Sequence, residues 1–379
     1  MKKIGRTVGE IFPSSRYPRN TEGAFADLNN GDVLFAFSRF IGASNDESDA
    51  EIASVVSHDG GETWGEEKSL IRKKEGDGNL MSVSFLRMLD GALAIFYLRK
   101  FRSESGRNCC IPYVSKSYDE GQSWGEPKRC IMDDDYYVLN NDRVIRLSSG
   151  RVLMATALHA GESDTGRVAF FVSDDDCESF REIKQRLDLP FVHSFSGLQE
   201  PGVVELEDGR IWMWARTGHA YQFEAYSSDG GESWSDVRPN EFFTSPLSPM
   251  SVKKLKDGRL VAIFNPIPNY NTRFEVEDDD DLETMSYKKR LYHSFSVYSG
   301  RTPYVLAVGK GDSKGFCPRV RVIEDNPRAS FCYAAIHERD DHLLVAYFTN
   351  DKKPLDEVNC ATYGITIKKI VFDELDVWG

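Results

Sequence analysis

An all-β fold, and within that class a six-bladed β-propeller, is predicted by three observations. A hairpin pattern recurs six times, an eight-residue turn motif recurs in fixed phase with it, and no Ala/Leu/Glu-rich helical stretch stands out. The hairpins read "FADLNNGDVLFAF" around Gly31, "FLRMLDGALAIFY" around Gly91, "VIRLSSGRVLMAT" around Gly150, "VVELEDGRIWMWAR" around Gly209, "VKKLKDGRLVAIF" around Gly258 and "AAIHERDDHLLVAYF" around Asp341. In each, short apolar segments flank a polar turn of the Asn-Gly or Asp-Gly kind, the strongest local signal for a hairpin. Successive turns are 60, 59, 59, 49 and 83 residues apart. A unit of about 60 residues has room for four short strands, the size of a propeller blade. A lone blade leaves both faces of its sheet uncovered, and packing against neighbours covers them.

The turn motif is "SHDGGETW" at 57–64, "SYDEGQSW" at 117–124 and "SSDGGESW" at 227–234. A worn copy, "SDDDCESF", occupies 173–180, and "GKGDSKGF" at 309–316 reads as a decayed fifth. Asp59, Asp119 and Asp229 are read as turn formers that accept local backbone N–H groups, with glycines at positive φ and the Trp packed in the blade. Six units account for the chain, so residues 1–379 read as a single domain. The long gap before the last hairpin contains "FEVEDDDDLETM" (274–285), read as a solvated loop because EF-hand spacing is absent. The alternating tail "ATYGITIKKIVFDELDVW" is expected to pair with the N-terminal segment and close the ring, removing exposed strand edges.

Composition narrows the function. The formal net charge is −13, which disfavours nucleic acid and anionic membranes, so an anionic substrate needs a local cationic pocket. No apolar run approaches the roughly 20 residues that span a bilayer. The N-terminal "MKKIGRTVGEIFPSS" lacks an apolar core for a signal peptide, and the expectation is a cytoplasmic chain. Seven cysteines without metal-like spacing read as reduced thiols. No metal and no organic cofactor is expected.

The octet S-x-D-x-G-x-[ST]-W is the Asp-box, and Asp-boxes in a six-fold β-repeat resemble the sialidase (neuraminidase) superfamily of propellers across nearly the whole chain. The resemblance implies an exo-glycosidase acting on glycans or oligosaccharides that end in sialic acid or a related acidic sugar. Three arginines would grip the substrate carboxylate, a Tyr paired with a Glu would be the nucleophile, and an Asp the acid/base. The chemistry suits those residue types. Guanidinium groups bind carboxylates bidentately and keep their charge. A neutral Tyr meets less repulsion than an anionic carboxylate at an anomeric carbon bearing a carboxylate, but with a reference pKa of about 10 it needs a base within reach.

In "LQEPGVVELEDGRIWMWARTGH", Glu200 and Arg216 match the family's nucleophile partner and second arginine, 16 residues apart. Arg301 in "SGRTPYVLAV" and Tyr333 in "PRASFCYAAIHERDDHLL" match the third arginine and the nucleophile. The first blade departs from the family pattern. Where sialidases carry an Arg-Ile-Pro-type motif, this chain has "SSRYPRNTEGAFADL". Thr21 falls near the place of the motif arginine, Arg19 is taken as its counterpart, Arg16 is farther off, and Glu22 is expected to enter the pocket. The acid/base is Asp46 or Asp49 in "IGASNDESDAEI". Repeat phase adds Asn79, Ser82, Asn140, Asn141, Asp142 and Arg143 as substrate contacts, while His159 and His219 are read as structural. Two rivals remain open: an enzyme on the same scaffold acting on uronic-acid or deoxy-sugar polysaccharides, which the altered "RNTEG" favours, and a non-catalytic sugar-binding propeller.

Overall fold

The computed structural model describes residues 3–159, 165–190, 196–267, 300–326, 329–352 and 361–376. The acidic run at 274–285 lies outside them. The described residues are strands and turns, with one short 3-10 helix at Phe372–Leu375.

Antiparallel pairing groups the strands into six meanders. The first runs Arg19–Asp27, Val33–Phe40, Ala50–Ser57 and Lys68–Ile71, and the second Asp77–Arg87, Leu93–Arg102, Asn108–Ser117 and Lys128–Arg129. The third is built on Val152–Leu158 and Arg167–Ser173, with short flanking strands. The fourth runs Gln199–Glu205, Ile211–Arg216, Tyr221–Ser227 and Arg238–Thr244, and the fifth Ser251–Lys254, Leu260–Phe264, Tyr304–Gly309 and Arg321–Glu324. The sixth comprises Ala329–Glu338, His342–Lys352 and Ala361–Val371, completed by the N-terminal strand Arg6–Ile11. The alternating tail thus pairs with the N-terminal segment as its pattern suggests. The hydrogen bonding does not close a ring, however. Among the described residues it forms four separate sheets, and single parallel pairings, Arg19 with Tyr363 and Ala50 with Asn79, join the sixth, first and second meanders.

Second strands such as Val33–Phe40 and Leu260–Phe264 are buried at every position. Each sheet is therefore covered on both faces, which explains apolar runs where a half-exposed strand would alternate. The Asp-boxes help cover them. Asp59 Oδ1 accepts from the Thr63 amide at 2.9 Å and its Oδ2 from the Thr63 hydroxyl at 2.6 Å, while Ser57 Oγ accepts from the Gly61 amide at 2.8 Å. The worn copy keeps the same bonds through Asp175, Ser179 and Ser173. These hydrogen bonds hold the carboxyls of Asp59, Asp119 and Asp175 at about 2. The motif's aromatic does more than fill its own meander. Trp234 stacks on Phe170 of the preceding meander, ring centroids 4.1 Å apart, Trp124 joins a cluster with Ala26 and Leu34 of the first, and Phe316 packs against Trp212 and Phe243 of the fourth. The fifth copy keeps that aromatic although Gly311 replaces the Asp.

The innermost strands share one backbone irregularity. Pairing breaks register between Thr21 and Ala24, Met81 and Ser84, Gln199 and Gly202, and Cys332 and Ala335. At these bulges Glu22, Ser82, Glu200 and Tyr333 take φ of 51°, 59°, 49° and 58°, and Asp142 in the third meander takes 55°. Each lies eight or nine residues before its hairpin turn position. In the fifth meander that position is Pro249, whose ring fixes φ negative. Left-handed conformation costs a non-glycine residue about 1–2 kcal/mol, and bulges concentrate where a side chain is re-aimed.

Candidate active site

Two of the bulge residues, Glu200 and Tyr333, and three arginines meet around one depression, whose wall does not include Glu22. A cavity of about 460 Å³ is lined by Arg19, Arg216, Arg301, Glu200, Tyr333 and Asp46, together with Ser44, Val138, His159, Gln199, Phe348 and Tyr363. Tyr333 Oη donates to Glu200 Oε1 at 2.9 Å, and Arg216 Nη1 donates to Glu200 Oε2 at 2.5 Å. Arg301 Nη2 donates to the Leu247 carbonyl at 3.3 Å and Nη1 to Cys332 Sγ at 3.0 Å, with its guanidinium 5.6 Å from the Tyr333 ring centre. Arg19 lies 4.6 Å over the Phe40 ring, donates to the Ser44 carbonyl at 3.1 Å and pairs with Asp46.

The electrostatics separate the roles. Burial pushes the Tyr333 hydroxyl well above its ordinary range, and the Glu200 charge adds to this. Burial alone would also raise Glu200, but Arg216 and Arg301 and the two hydrogen bonds outweigh it and hold the carboxyl below its usual range. Tyr333 therefore keeps its proton at rest and faces an ionised acceptor. Asp46 is likewise held low, the pull of Arg19 and Lys100 exceeding the effect of burial.

The sequence-derived candidates fall into two groups. Tyr333, Glu200, Arg19, Arg216, Arg301 and Asp46 line the cavity, as does His159, whose ring stands edge-on to Tyr136. Asp49 is not among its lining residues and pairs with Lys73 at 2.5 Å. Asn79, Asn140, Asn141, Asp142 and Arg143 also lie off the cavity wall, Asn140 buried and the others in internal contacts. Asn141 Nδ2 donates to the carbonyls of Gly23 and Tyr333, Arg143 donates to the Met250 carbonyl, and Asp142 pairs with Lys253 and accepts from the Ile336 amide. Glu22 is 5% exposed, accepts from the Ser82 hydroxyl, and is pushed above its ordinary range by burial against the opposing pull of Arg19. The repeat register assigns it, rather than Thr21, the bulge position of the first meander. Sequence reasoning missed Phe348 and Tyr363, which stack 5.9 Å apart. Phe348 ends the last hairpin, read only for its turn, and Tyr363 stands in the tail read only as ring closure.

Among the described residues no group of three or more His, Cys, Asp or Glu is placed to hold a metal ion. No helix there is long and apolar enough to cross a membrane. The cysteines described, Cys109, Cys110, Cys130, Cys177, Cys317 and Cys332, are buried free thiols.

With this geometry in place, the chain matches the BNR repeat-like domain over residues 32–345 and belongs to that family. No curated protein matches its sequence. Among solved structures, it is similar to a Dyadobacter fermentans protein of unknown function, with TM-score 0.69, 17% identity, and coverage of 96% of this chain and 99% of that one. It is also similar to the NanB sialidase of Streptococcus pneumoniae, with TM-score 0.69, 15% identity and coverage of 98% and 71%. The intramolecular trans-sialidase of Ruminococcus gnavus, solved with oseltamivir carboxylate, gives TM-score 0.68, 12% identity and coverage of 100% and 99%. At these identities the likeness is one of fold.

Proposed function

We propose that this chain is a retaining, sialidase-like exo-glycosidase that releases a terminal sialic acid or related acidic sugar from glycans. The observation that carries the reading is the relay Tyr333–Glu200–Arg216, set in a cavity with two further arginines. Tyr333 attacks the anomeric carbon as Glu200 takes its proton. Asp46 protonates the leaving oxygen and then activates the water that frees the sugar. Arg19, Arg216 and Arg301 hold the substrate carboxylate; Arg216 and Arg301 also keep Glu200 ionised while Tyr333 is neutral. The six meanders are taken as blades of one propeller and one domain. Contacts from each meander to the next support this: Ser82 N to Ser38 Oγ, Asp142 N to Val83 O, Leu198 N to Gly166 O, Trp214 Nε1 to Met250 O, Ser251 Oγ to Ala334 O, and the Arg19–Tyr363 pairing.

One observation favours a second substrate class. Glu22 adds a third carboxylate to the neighbourhood of three arginines, leaving less net positive charge for an anionic ligand than a plain carboxylate clamp would. A deoxy-sugar that carries no carboxylate and offers a hydroxyl to Glu22 would suit that balance, and a uronic acid only through such a hydroxyl.

The test is turnover of a fluorogenic α-ketoside of N-acetylneuraminic acid by the wild type and Tyr333→Phe. The expected result is clear wild-type hydrolysis, reduced about 10²–10⁴-fold or more in the variant. Absence of wild-type turnover, with activity on uronic-acid or deoxy-sugar glycosides, would move the assignment to the second class. Full activity in Tyr333→Phe would overturn the mechanism.

A further inference from the structure

The loop that carries Asp46 is held from two meanders, its carboxylate by Arg19 of its own and its backbone by the second. Asp46 itself is 68% exposed at its side chain. The Ile41 amide donates to the Asp49 carbonyl at 2.7 Å, the Gly42 amide to the Arg16 carbonyl at 3.0 Å, and turn bonds run from Glu47 and Ser48 to Asn45, while Arg19 holds the Ser44 carbonyl and the Asp46 carboxylate. The Asp46 carbonyl is held from the second meander. Asn79 Nδ2 donates to the carbonyl of Asp46 at 2.8 Å and to that of Ser48 at 3.2 Å, and Lys100 Nζ donates to the same Asp46 carbonyl at 2.8 Å. Asn79 and Lys100 face each other in register on adjacent strands. Asn79 is fully buried and Lys100 is 8% exposed.

A buried ammonium ion is costly unless a charge or several hydrogen bonds offset it. Among the described residues the ion-pair partner of Lys100 is Glu47 Oε1 at 3.6 Å, a mostly exposed side chain, and the Asp46 carboxyl also lies in its field. Its other titratable neighbours are Tyr136, whose ring centre is 5.7 Å away, and the Cys110 thiol. Two donors from a neighbouring meander thus converge on one backbone oxygen, that of the residue read as the acid/base. One of them places a fixed positive charge behind it.

We propose that Lys100 and Asn79 are positioning residues that fix the Asp46 backbone, so that acid catalysis depends on a clamp built by the second meander. The proposal rests on the assignment of Asp46 as acid/base. Lys100 supplies position and charge and touches no reacting atom. Its field also helps to hold the Asp46 carboxyl below its ordinary range.

The test compares wild type, Lys100→Met and Lys100→Arg on two glycosides of the same acidic sugar. One has a phenolic leaving group that departs without a proton, and the other a sugar alcohol that needs one. Lys100→Met is expected to lose about tenfold or more in kcat on the sugar-alcohol substrate. It should lose little on the phenolic one, leave KM nearly unchanged, and shift the alkaline limb of the profile to higher pH. Lys100→Arg is expected to recover most of the loss. Equal losses on both substrates, or no loss on either, would overturn the proposal. A substrate-free measurement separates this from failure of the enzymatic reading. In a ¹³C-carboxyl titration, the Asp46 pKa is expected to rise in Lys100→Met even if no glycoside is turned over, and an unchanged pKa would overturn the clamp itself.

Discussion

Glu22 and Glu200 are both carboxylates at bulge positions of inner strands, and their surroundings push them in opposite directions. Glu200 has Arg216 at 2.5 Å and a second arginine close by, and stays ionised. Glu22 has a serine hydroxyl as its hydrogen-bond donor, and burial raises it despite Arg19. The raised carboxyl has a consequence for stability. The folded chain binds the Glu22 proton more tightly than the unfolded chain does, so this contribution is fully present below the unfolded pKa and is lost as pH rises through the folded value. Glu22→Gln removes the penalty of an ionised buried group. Its melting temperature should match wild type near pH 4 and exceed it by about 1–3 °C at pH 7. Thermal melts at several pH values check this, and a gap that does not widen with pH contradicts it. Asp46 and Asp49 show a similar division by surroundings. Three residues apart, one faces the cavity and Arg19, the other Lys73.

At the scale of the strand, two of the bulges, those of Glu22 and Glu200, need a glycine at their edge. A Cβ on Gly202 would lie 2.3 Å from the Trp214 ring, and one on Gly23 would lie 2.4 Å from the Phe35 ring and 2.6 Å from the Ala36 carbonyl. Gly202→Ala is therefore expected to cost about 1–3 kcal/mol. It should also weaken the bond from Trp214 Nε1 to the Met250 carbonyl, which joins the fourth and fifth meanders. Denaturant unfolding with Trp fluorescence measures both effects, and an unchanged midpoint would show that the ring can yield. This is also the scale at which the sequence was most legible. Hairpins and Asp-boxes announce themselves because turns restrict residue type, and Glu200 and Arg216 keep the order and spacing that the family resemblance implies. The bulge itself was not legible, since positive φ at Tyr333 or Ser82 leaves no compositional mark. The phase argument thus found the right end of the strands but assigned Asn79, Asn141 and Arg143 to substrate. The bulge turns some neighbouring side chains inward to bind carbonyls.

Across the whole molecule, the second, fourth and fifth meanders each lean on their predecessor through an Asp-box aromatic, and the sixth is completed by a strand from the other end of the chain. A structure coupled in this way should lose secondary structure and aromatic packing together. Far-ultraviolet circular dichroism and Trp fluorescence are expected to give coincident thermal transitions, and two separated transitions would divide the chain into independent units. The recurrence of one left-handed residue in five of six meanders has a further meaning. Glu22, Ser82, Asp142, Glu200 and Tyr333 present carboxylate, hydroxyl and phenol groups from the same backbone seat, and in the fifth meander Pro249 takes its place. The backbone demand is common to all five, so it is separable from the chemistry each offers. For an engineer they are interchangeable sockets, most readily refilled with Asn or Asp, which tolerate the left-handed region best.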